Sequence, residues 1–560
     1  MGPGPTLLQY RPRVTELVLG PILRHVSETS ATIWVETDAA CDVAVLDHHA
    51  RTFCVRGHHY ALVIVTGLEP ATRHAYDVRI DGRVVWPLDG DTLPASTIRT
   101  YGAGDPVIVF GSCRAAAPHE PPYTLELDHD PRGRGIDALH ALGLRMIEQD
   151  PDEWPDLLVM LGDQIYADNP SPRTRRRLRR TKRDEVPDDV VGGFEQYTWL
   201  YQEAWTPQIE RWVLSVVPST MIFDDHDMID DWNISDRWVR EIRQESWWED
   251  HIIGGLMSYW IYQHLGNLSP DRIEEEGLLA ELHRHDDASD VLRRWAMQSE
   301  EFTPVPGGYH FSYRRELGDV RLIVIDNRNG RELDPAERRM VGEDEWGWIS
   351  RWATEPCRHL VLATSLPVLV PGGLHDLQSW NESVCRGAWG RPAARLGEWM
   401  RRAIDLEDWA AFDRSFRDLC ELLAIVGTAT DDREAPATIT MLAGDIHFAY
   451  VAESHFPDRP DVTSRITQVV ASPLRNALVT RERRVIRFGL SRFGRSVGKL
   501  LRRSVRGRPT PLVWELTDGP IFANNIGTLR FDGDVHLVVE RTRPDDDGRP
   551  TLARAVDRHL

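Results

Sequence analysis

The stretch Leu157-Leu158-Val159-Met160-Leu161-Gly162-Asp163-Gln164-Ile165-Tyr166 runs five apolar residues into a glycine, a carboxylate and a phenol. The apolar run reads as a short buried strand. The glycine lets the chain turn sharply as it leaves that strand. Asp163 carries two oxygens, enough to bridge two cations, and Tyr166 follows three residues later, one helical turn on. An ordinary Gly-Asp turn with a core tyrosine explains this piece equally well when it is taken alone.

Outward from this stretch, five more runs have the same character: Val107–Phe110, Thr220–Phe223, Leu322–Ile325, Leu360–Ala363 and Ile439–Leu442. Longer helical stretches separate them, and that alternation from Asp105 onward predicts an α/β domain. Among the helical pieces, Trp346, Trp348, Ile349 and Trp352 mark a face that packs on the core. In α/β proteins the carboxyl ends of strands carry the site. Those ends read Gly111-Ser112-Cys113-Arg114, Gly162-Asp163-Gln164-Ile165-Tyr166, Asp224-Asp225-His226-Asp227, Asp326-Asn327-Arg328 and Gly444-Asp445-Ile446-His447. A thiolate at Cys113 suits a transition metal. Three carboxylates and a histidine directly after an apolar run are costly unless they bind cations or move protons. Arg328 offers a planar donor fork for phosphate, or else a salt bridge to Asp326. Asp445 and His447, two apart, project to one side of an extended segment.

Ahead of this domain, residues 14–100 read as all-β, with short runs at Ala31–Glu36, Cys41–Leu46, His59–Val65 and His74–Ile80. The segment from Gly67 to Tyr76 has the look of a tyrosine corner, so a fibronectin-III-like sandwich is expected, with another small β-sandwich as the alternative. The domain plan is a sandwich over 1–104, a catalytic domain over 105–545 and a weakly ordered tail over 546–560.

Composition bounds the function. The 560 residues exceed one ordinary core, and 41% hydrophobic with 27% charged residues fits a soluble globular protein. A net charge of -21 argues against general nucleic-acid binding, so no specific nucleic-acid partner is expected. Six cysteines (41, 54, 113, 357, 385 and 420) are too few for a disulfide framework. Met1–Arg11 lacks a basic start and apolar core, and matches the myristoylation pattern at Gly2 only loosely. With no run of 18 apolar residues, a cytoplasmic location is expected.

The five strand-end motifs, in this order, resemble the PhoD-like alkaline phosphatases, a branch of the calcineurin-like metallophosphoesterases, from about residue 15 to about 540. The resemblance implies a four-layer α/β/β/α sandwich behind an N-terminal β-sandwich. It implies hydrolysis of phosphate monoesters or diesters by a hydroxide that a metal pair activates. Implied iron(III) ligands are Cys113, Asp163, Tyr166 and His447. Calcium would lie between the bridging Asp163, Asp225 and Asp445, with other divalent metals as alternatives. His226 would orient phosphate or protonate the leaving group, and Arg328 would hold a non-bridging oxygen. Where the family often carries a pair of asparagines, this chain has Met228-Ile229-Asp230-Asp231-Trp232-Asn233.

Two basic segments interrupt the α/β pattern, and the second of them is not accounted for by the family resemblance. Arg173–Arg183 reads as an exposed loop or helix start near the mouth of the site. Arg481–Arg508 spaces Ile486, Leu490, Phe493, Val497, Leu500 and Leu501 helically among Arg and Lys, as a basic amphipathic helix does. It either packs on the domain with its basic face in water or docks on an anionic membrane or polyanion. The rival to an enzyme is therefore a membrane- or polyanion-binding protein on an inactive phosphoesterase scaffold.

Overall fold

The computed structural model describes residues 14–102, 104–181, 186–301 and 309–560. Met1–Arg11, read above for a leader, lies outside the described residues, as do Lys182 and Arg183 of the first basic segment.

All six apolar runs are strands, and they fall into two sheets. The first sheet, from edge to edge, orders Ser219–Ile222, Leu157–Leu161, Val107–Gly111, Asn525–Asp532, Asp534–Pro544 and Pro550–His559. Its first three strands are parallel, so they end at one edge. The second sheet orders Tyr313–Leu317, Val320–Ile325, His359–Thr364, Thr438–Ala443, Arg465–Val470, Ala449–His455 and Val513–Ile521. Four of these are mutually parallel.

Alternation along the second sheet shows how the layers stack. Val361, Ala363, Leu442 and Val469 share one core with Ile108, Phe110, Leu158 and Met160 of the first sheet. Their neighbours Leu360, Leu362, Ile439 and Met441 share another core with Ile349, Phe416 and Leu423, which stand on helices Glu343–Thr354 and Asp413–Val426. Successive strand residues point to opposite faces, so one face of the sheet meets sheet and the other meets helix. The architecture is the four-layer α/β/β/α sandwich. Trp346, Trp348 and Trp352 pack against the second core, as their spacing predicts.

The N-terminal strands form two four-stranded sheets and one two-stranded ladder. Leu17–Val26, Ser30–Thr37, His58–Thr66 and Phe53–Val55 make one sheet; His48–Arg51, Asp42–Val45, Val78–Ile80 and Arg83–Trp86 make the other. The run at His74–Ile80 breaks in two around Tyr76. The tyrosine-corner reading of Tyr76 is corrected: its hydroxyl donates to the Ser215 carbonyl at 2.7 Å, far along the chain, rather than to the backbone just upstream. It ties the sandwich to the helix Gln208–Val216.

A second tie is titratable. The two nitrogens of His58 meet Glu36 at 3.0 Å and Glu195, on helix Phe194–Trp205, at 2.7 Å. Burial alone would lower the His58 pKa, but Glu195 and Glu36 outweigh it and raise it to about 9. A folded value above the unfolded one adds stability that is complete below about pH 6.5 and lost as pH rises through about 9. Discounted for the half-exposed Glu195, the effect is about 2 kcal/mol. His58→Gln is expected to cost that much in urea unfolding at pH 6 and almost nothing at pH 10. An equal cost at both pH values would refute the linkage.

Two further expectations are corrected. Residues 550–559 form a strand paired antiparallel with Asp534–Pro544, and Leu560 is buried, so the expected weak tail is a sheet edge. The strand escapes a hydrophobicity reading because edge strands carry charge, here Arg554, Asp557 and Arg558. The basic segment at 481–508 is two helices, Thr480–Leu490 and Arg492–Ser504. Ser491 interrupts them and caps the second by accepting from the Gly494 N–H at 3.0 Å. Of the two readings of the first basic segment, the helix start holds for residues 173–181: helix Pro172–Thr181 begins after Ser171, whose hydroxyl accepts from the Thr174 N–H.

Among the described residues, no helix is long and apolar enough to cross a membrane.

Candidate metal centre

Each expected ligand stands just past the end of a parallel strand, and the strand ends converge. Donor atoms of Cys113, Asp163 and His447 lie within 4.8 Å of one another. The same holds for Asp163, Asp225 and His226, and for Asp224, Asp225 and Asp445. Asp163 belongs to two of these groups, the position a bridging carboxylate needs. Tyr166 reaches the cluster with its ring 4.8 Å from the His226 imidazole, and its hydroxyl accepts from Asn476 Nδ2 at 3.0 Å.

The backbone is held in a costly conformation to do this. Cys113, Asp163, Asp445 and His447 all have positive φ, between 54° and 63°. Such left-handed residues persist only where their surroundings over-determine them, and they gather at functional sites. Asp445 and His447 therefore converge through two left-handed turns rather than the extended segment expected from their spacing. Tyr166 likewise does not ride on a helical turn. The loop after Gly162 is irregular and is braced by Asp227, which accepts from the Asp163, Gln164 and Ile165 N–H groups at 2.8, 3.2 and 3.3 Å. Two glycines make room: a Cβ on Gly162 would stand 2.5 Å from Asp224 Cβ, and one on Gly444 2.2 Å from Ser112 Oγ.

The electrostatics ask for cations. Both oxygens of Asp163 are buried without a hydrogen-bond partner. Burial and the surrounding carboxylates push the Asp163 and Asp445 carboxyls well above their ordinary range. Burial, with Asp163 and Asp445 beside it, also raises the Cys113 thiol far up. His447 is lowered to about 4 by burial, so its imidazole is neutral and free to ligate. Unpartnered buried carboxylates, a thiol and a neutral imidazole fit a pair of metal ions.

His226 borders the carboxylate cluster beside Asp163 and Asp225. Its Nδ1 meets Asp168 at 2.9 Å. Burial disfavours the imidazolium, but Asp168 and Asp163 outweigh it and raise the pKa well above the ordinary value. Asp168 escaped the sequence reading, although it lies only two residues past Tyr166. So did Ser472, which donates to Cys113 Sγ at 3.4 Å and accepts from the His447 N–H at 3.3 Å. Arg114 was also missed. Buried beside Cys113, it binds Asp137 and Glu210, and Glu210 also takes His119 and His140.

Arg328 differs from the expectation. Its side chain has no exposure; Nε donates to Asp224 and Nη1 to Glu407 at 2.6 Å. Nη2 stands 3.4 Å from Asp225 and 3.9 Å from Asp445. The guanidinium is buried among the carboxylates and hydrogen-bonded to Asp224 and Glu407, while Nη2 faces Asp225 and Asp445 without a hydrogen-bond partner. The alternative of an Asp326 salt bridge fails too: Asp326 accepts from the Arg328 backbone N–H. The divergent pair also has a place, since the Asp230 N–H donates to Asp168 and the Asp231 N–H to Asp225.

Two cavities reach the centre. One of about 510 Å³ is lined by Asp225, His226, Asp445 and His447. The other, of about 580 Å³, lies beyond Tyr166 and is lined by Arg134, Arg173, Arg175 and Arg176. Helix Pro172–Thr181 thus stands beside the site, as its basic sequence suggests.

Comparison with known proteins bears on the fold. A family model described as a domain of unknown function, DUF7800, matches residues 14–98. No curated protein matches the sequence. A solved structure titled "Structure of PhoD" superposes with a TM-score of 0.57 at 11% identity, covering 100% of this chain and 93% of that one. From the sandwich to the last strand, the molecule is PhoD-like in fold.

Proposed function

We propose that this protein is a metal-dependent phosphoesterase that hydrolyses phosphate monoesters, diesters or both. The observation that carries the reading is Asp163, buried with both oxygens unpartnered, its donors grouped with Cys113 and His447 on one side and with Asp225 and His226 on the other, Asp225 being grouped in turn with Asp445. The likeness of the fold to PhoD supports it.

Cys113, Tyr166 and His447 with Asp163 offer the softer donor set, which suits iron(III); Asp225 and Asp445 with Asp163 offer oxygen only, which suits calcium. Bound metal ions would polarise the phosphoryl oxygens and acidify a water for attack. The protein's own contribution is positional and acid–base. Arg328 holds Asp224 in place and keeps positive charge beside Asp225 and Asp445. Asp168 orients the His226 ring through Nδ1, which leaves Nε2 to deliver a proton to the departing oxygen. A leaving alkoxide needs that proton far more than a nitrophenolate does. His226→Ala is therefore expected to slow alkyl phosphate esters about 100-fold or more, and nitrophenyl esters much less. Equal losses on both would remove His226 from the proton-donating role.

The deciding assay compares nitrophenyl phosphate and bis-nitrophenyl phosphate, using metal-loaded protein and the Cys113→Ala/Asp163→Ala variant. If the variant cleaves both esters as fast as the parent, the phosphoesterase reading fails. The preferred ester separates monoesterase from diesterase.

A further inference from the structure

The cavity of about 510 Å³ carries the metal-centre residues Asp225, His226, Asp445 and His447 on one side. The rest of its lining is mixed: Asp230, Gln378, Asp405, Glu407 and Asp408 stand with a larger apolar set that includes Leu374, Leu377, Leu406, Phe448, Ile486 and Leu501. A site built only for a small hydrophilic phosphate ester has no use for that apolar set. It suits a substrate with a hydrocarbon portion next to its phosphate.

Part of this wall comes from the two basic helices, Thr480–Leu490 and Arg492–Ser504. The second helix packs with its small residues inward. Gly494 and Gly498 are buried, and Gly373 of helix Gly372–Cys385 meets them so closely that a Cβ on Gly498 would stand 2.8 Å from the Gly373 carbonyl. Its large apolar residues face outward: Phe493 is 66% exposed, Leu500 69% and Val497 38%. A helix that merely packs on a domain turns its bulky apolar side chains inward. Here Phe493, Val497 and Leu500 form one stripe at i, i+4 and i+7. Val497 also lines the cavity, so the stripe begins at the cavity's edge.

Across the cavity, Ile404 lines the wall and is 52% exposed. It follows directly on helix Arg391–Ala403, which carries the exposed Leu396 and Trp399. Charge supplies the second half of the pattern. Residues 480–508 hold eleven basic side chains and one acidic, a local +10 in a chain of net charge -21. Among the described residues Arg492, Arg495, Lys499 and Arg503 form no ion pair, while Arg502 pairs with Asp376 and Arg483 with Glu126. Exposed aromatic and aliphatic residues among unpaired cations, on an otherwise acidic molecule, match an anionic lipid surface. The charge asymmetry would also orient the approach, turning this face toward the membrane.

We propose that helix Arg492–Ser504 and the Ile404 rim dock on an anionic membrane, and that the substrate is a phosphate ester of a lipid whose hydrocarbon portion enters the cavity. The substrate half rests on the phosphoesterase reading above; the docking half does not. In the reaction a water oxygen bonds to phosphorus and the bond from phosphorus to one ester oxygen breaks. That oxygen leaves as an alcohol carrying one of the water's protons, and the other proton ends on the phosphate product.

The test uses the full-length, metal-loaded protein and vesicles of phosphatidylcholine with or without phosphatidylglycerol. The protein is expected to float with the phosphatidylglycerol vesicles and not with pure phosphatidylcholine. Phe493→Glu/Leu500→Glu should cut the bound fraction and the hydrolysis of vesicle phosphatidylglycerol at least ten-fold. Hydrolysis of soluble bis-nitrophenyl phosphate should be unchanged, which excludes misfolding. Arg495→Glu/Arg503→Glu should act in the same direction. Equal flotation of parent and both variants, or no flotation of the parent, overturns the docking surface. Flotation with soluble-ester hydrolysis but no hydrolysis of vesicle lipid overturns the lipid substrate. No hydrolysis of any ester overturns the phosphoesterase reading, and flotation then still judges the docking.

Discussion

Asp163→Ala is expected to abolish metal retention and catalysis while raising the stability of the metal-free protein. The two effects have one cause. Asp163 is fully buried, both its oxygens lack a hydrogen-bond partner, and neighbouring carboxylates raise its pKa further. Without metal this group is a liability, because a buried polar group without partners costs about 1–3 kcal/mol. Removing it should return about that much to the apoprotein. Those oxygens are grouped with Cys113 and His447 on one side and with Asp225 on the other, so Asp163 would serve both ends of a metal pair and its loss would take a ligand from each. A fall in kcat/KM of about 10³-fold or more, some 4 kcal/mol, is the expected scale. Elemental analysis, ester hydrolysis and urea unfolding in chelator check the three parts. An apoprotein destabilised by the substitution would mean that Asp163 is a structural group and not a metal bridge.

Arg328→Met should act in the opposite direction on stability. The guanidinium sits among Asp224, Glu407, Asp225 and Asp445, all within 4.0 Å and all largely shielded from water. Taking one member out of a buried ion-pair network leaves the others charged and unpaired, at a cost of about 3–5 kcal/mol. Arg331 also reaches Glu407, at 2.9 Å, and should soften part of that loss. Burial raises the Asp224 carboxyl, which stays near 6 because Arg328 opposes that rise; without Arg328 it should rise further and take up a proton near neutral pH. Urea unfolding of the metal-free variant measures the cost, and Arg328→Met/Glu407→Gln should recover part of it. A variant as stable as the parent would show that Arg328 is not held by this ion-pair network.

The six apolar runs, the α/β class and the strand-end residues Cys113, Asp163, Tyr166, Asp225, His226, Asp445 and His447 are legible because they are local patterns. A buried strand must be apolar over about five residues, and a polar cluster directly after it has a short list of uses. Other features depend on partners far away in the chain. Arg328 looks like an anion binder until Asp224 and Glu407, 104 and 79 residues away, are found on it. Tyr76 looks like a corner until its hydroxyl is found on Ser215. Ser472 supports Cys113 from 359 positions away.

The last strand shows the same limit from the other side. Pro550–His559 is too charged to be read as a strand, yet the exposed hydrogen-bonding edge of Asp534–Pro544 orders it. The helix Arg492–Ser504 shows it most fully. By itself the sequence determines that this segment is helical, basic and amphipathic, because spacing sets which residues share a face. Only the tertiary structure decides which face is buried. Gly373 approaches too closely for any residue larger than glycine at 498, so the small face turns inward and Phe493 and Leu500 are left in solvent. Periodicity is a property of the chain, whereas burial is a property of what packs against it.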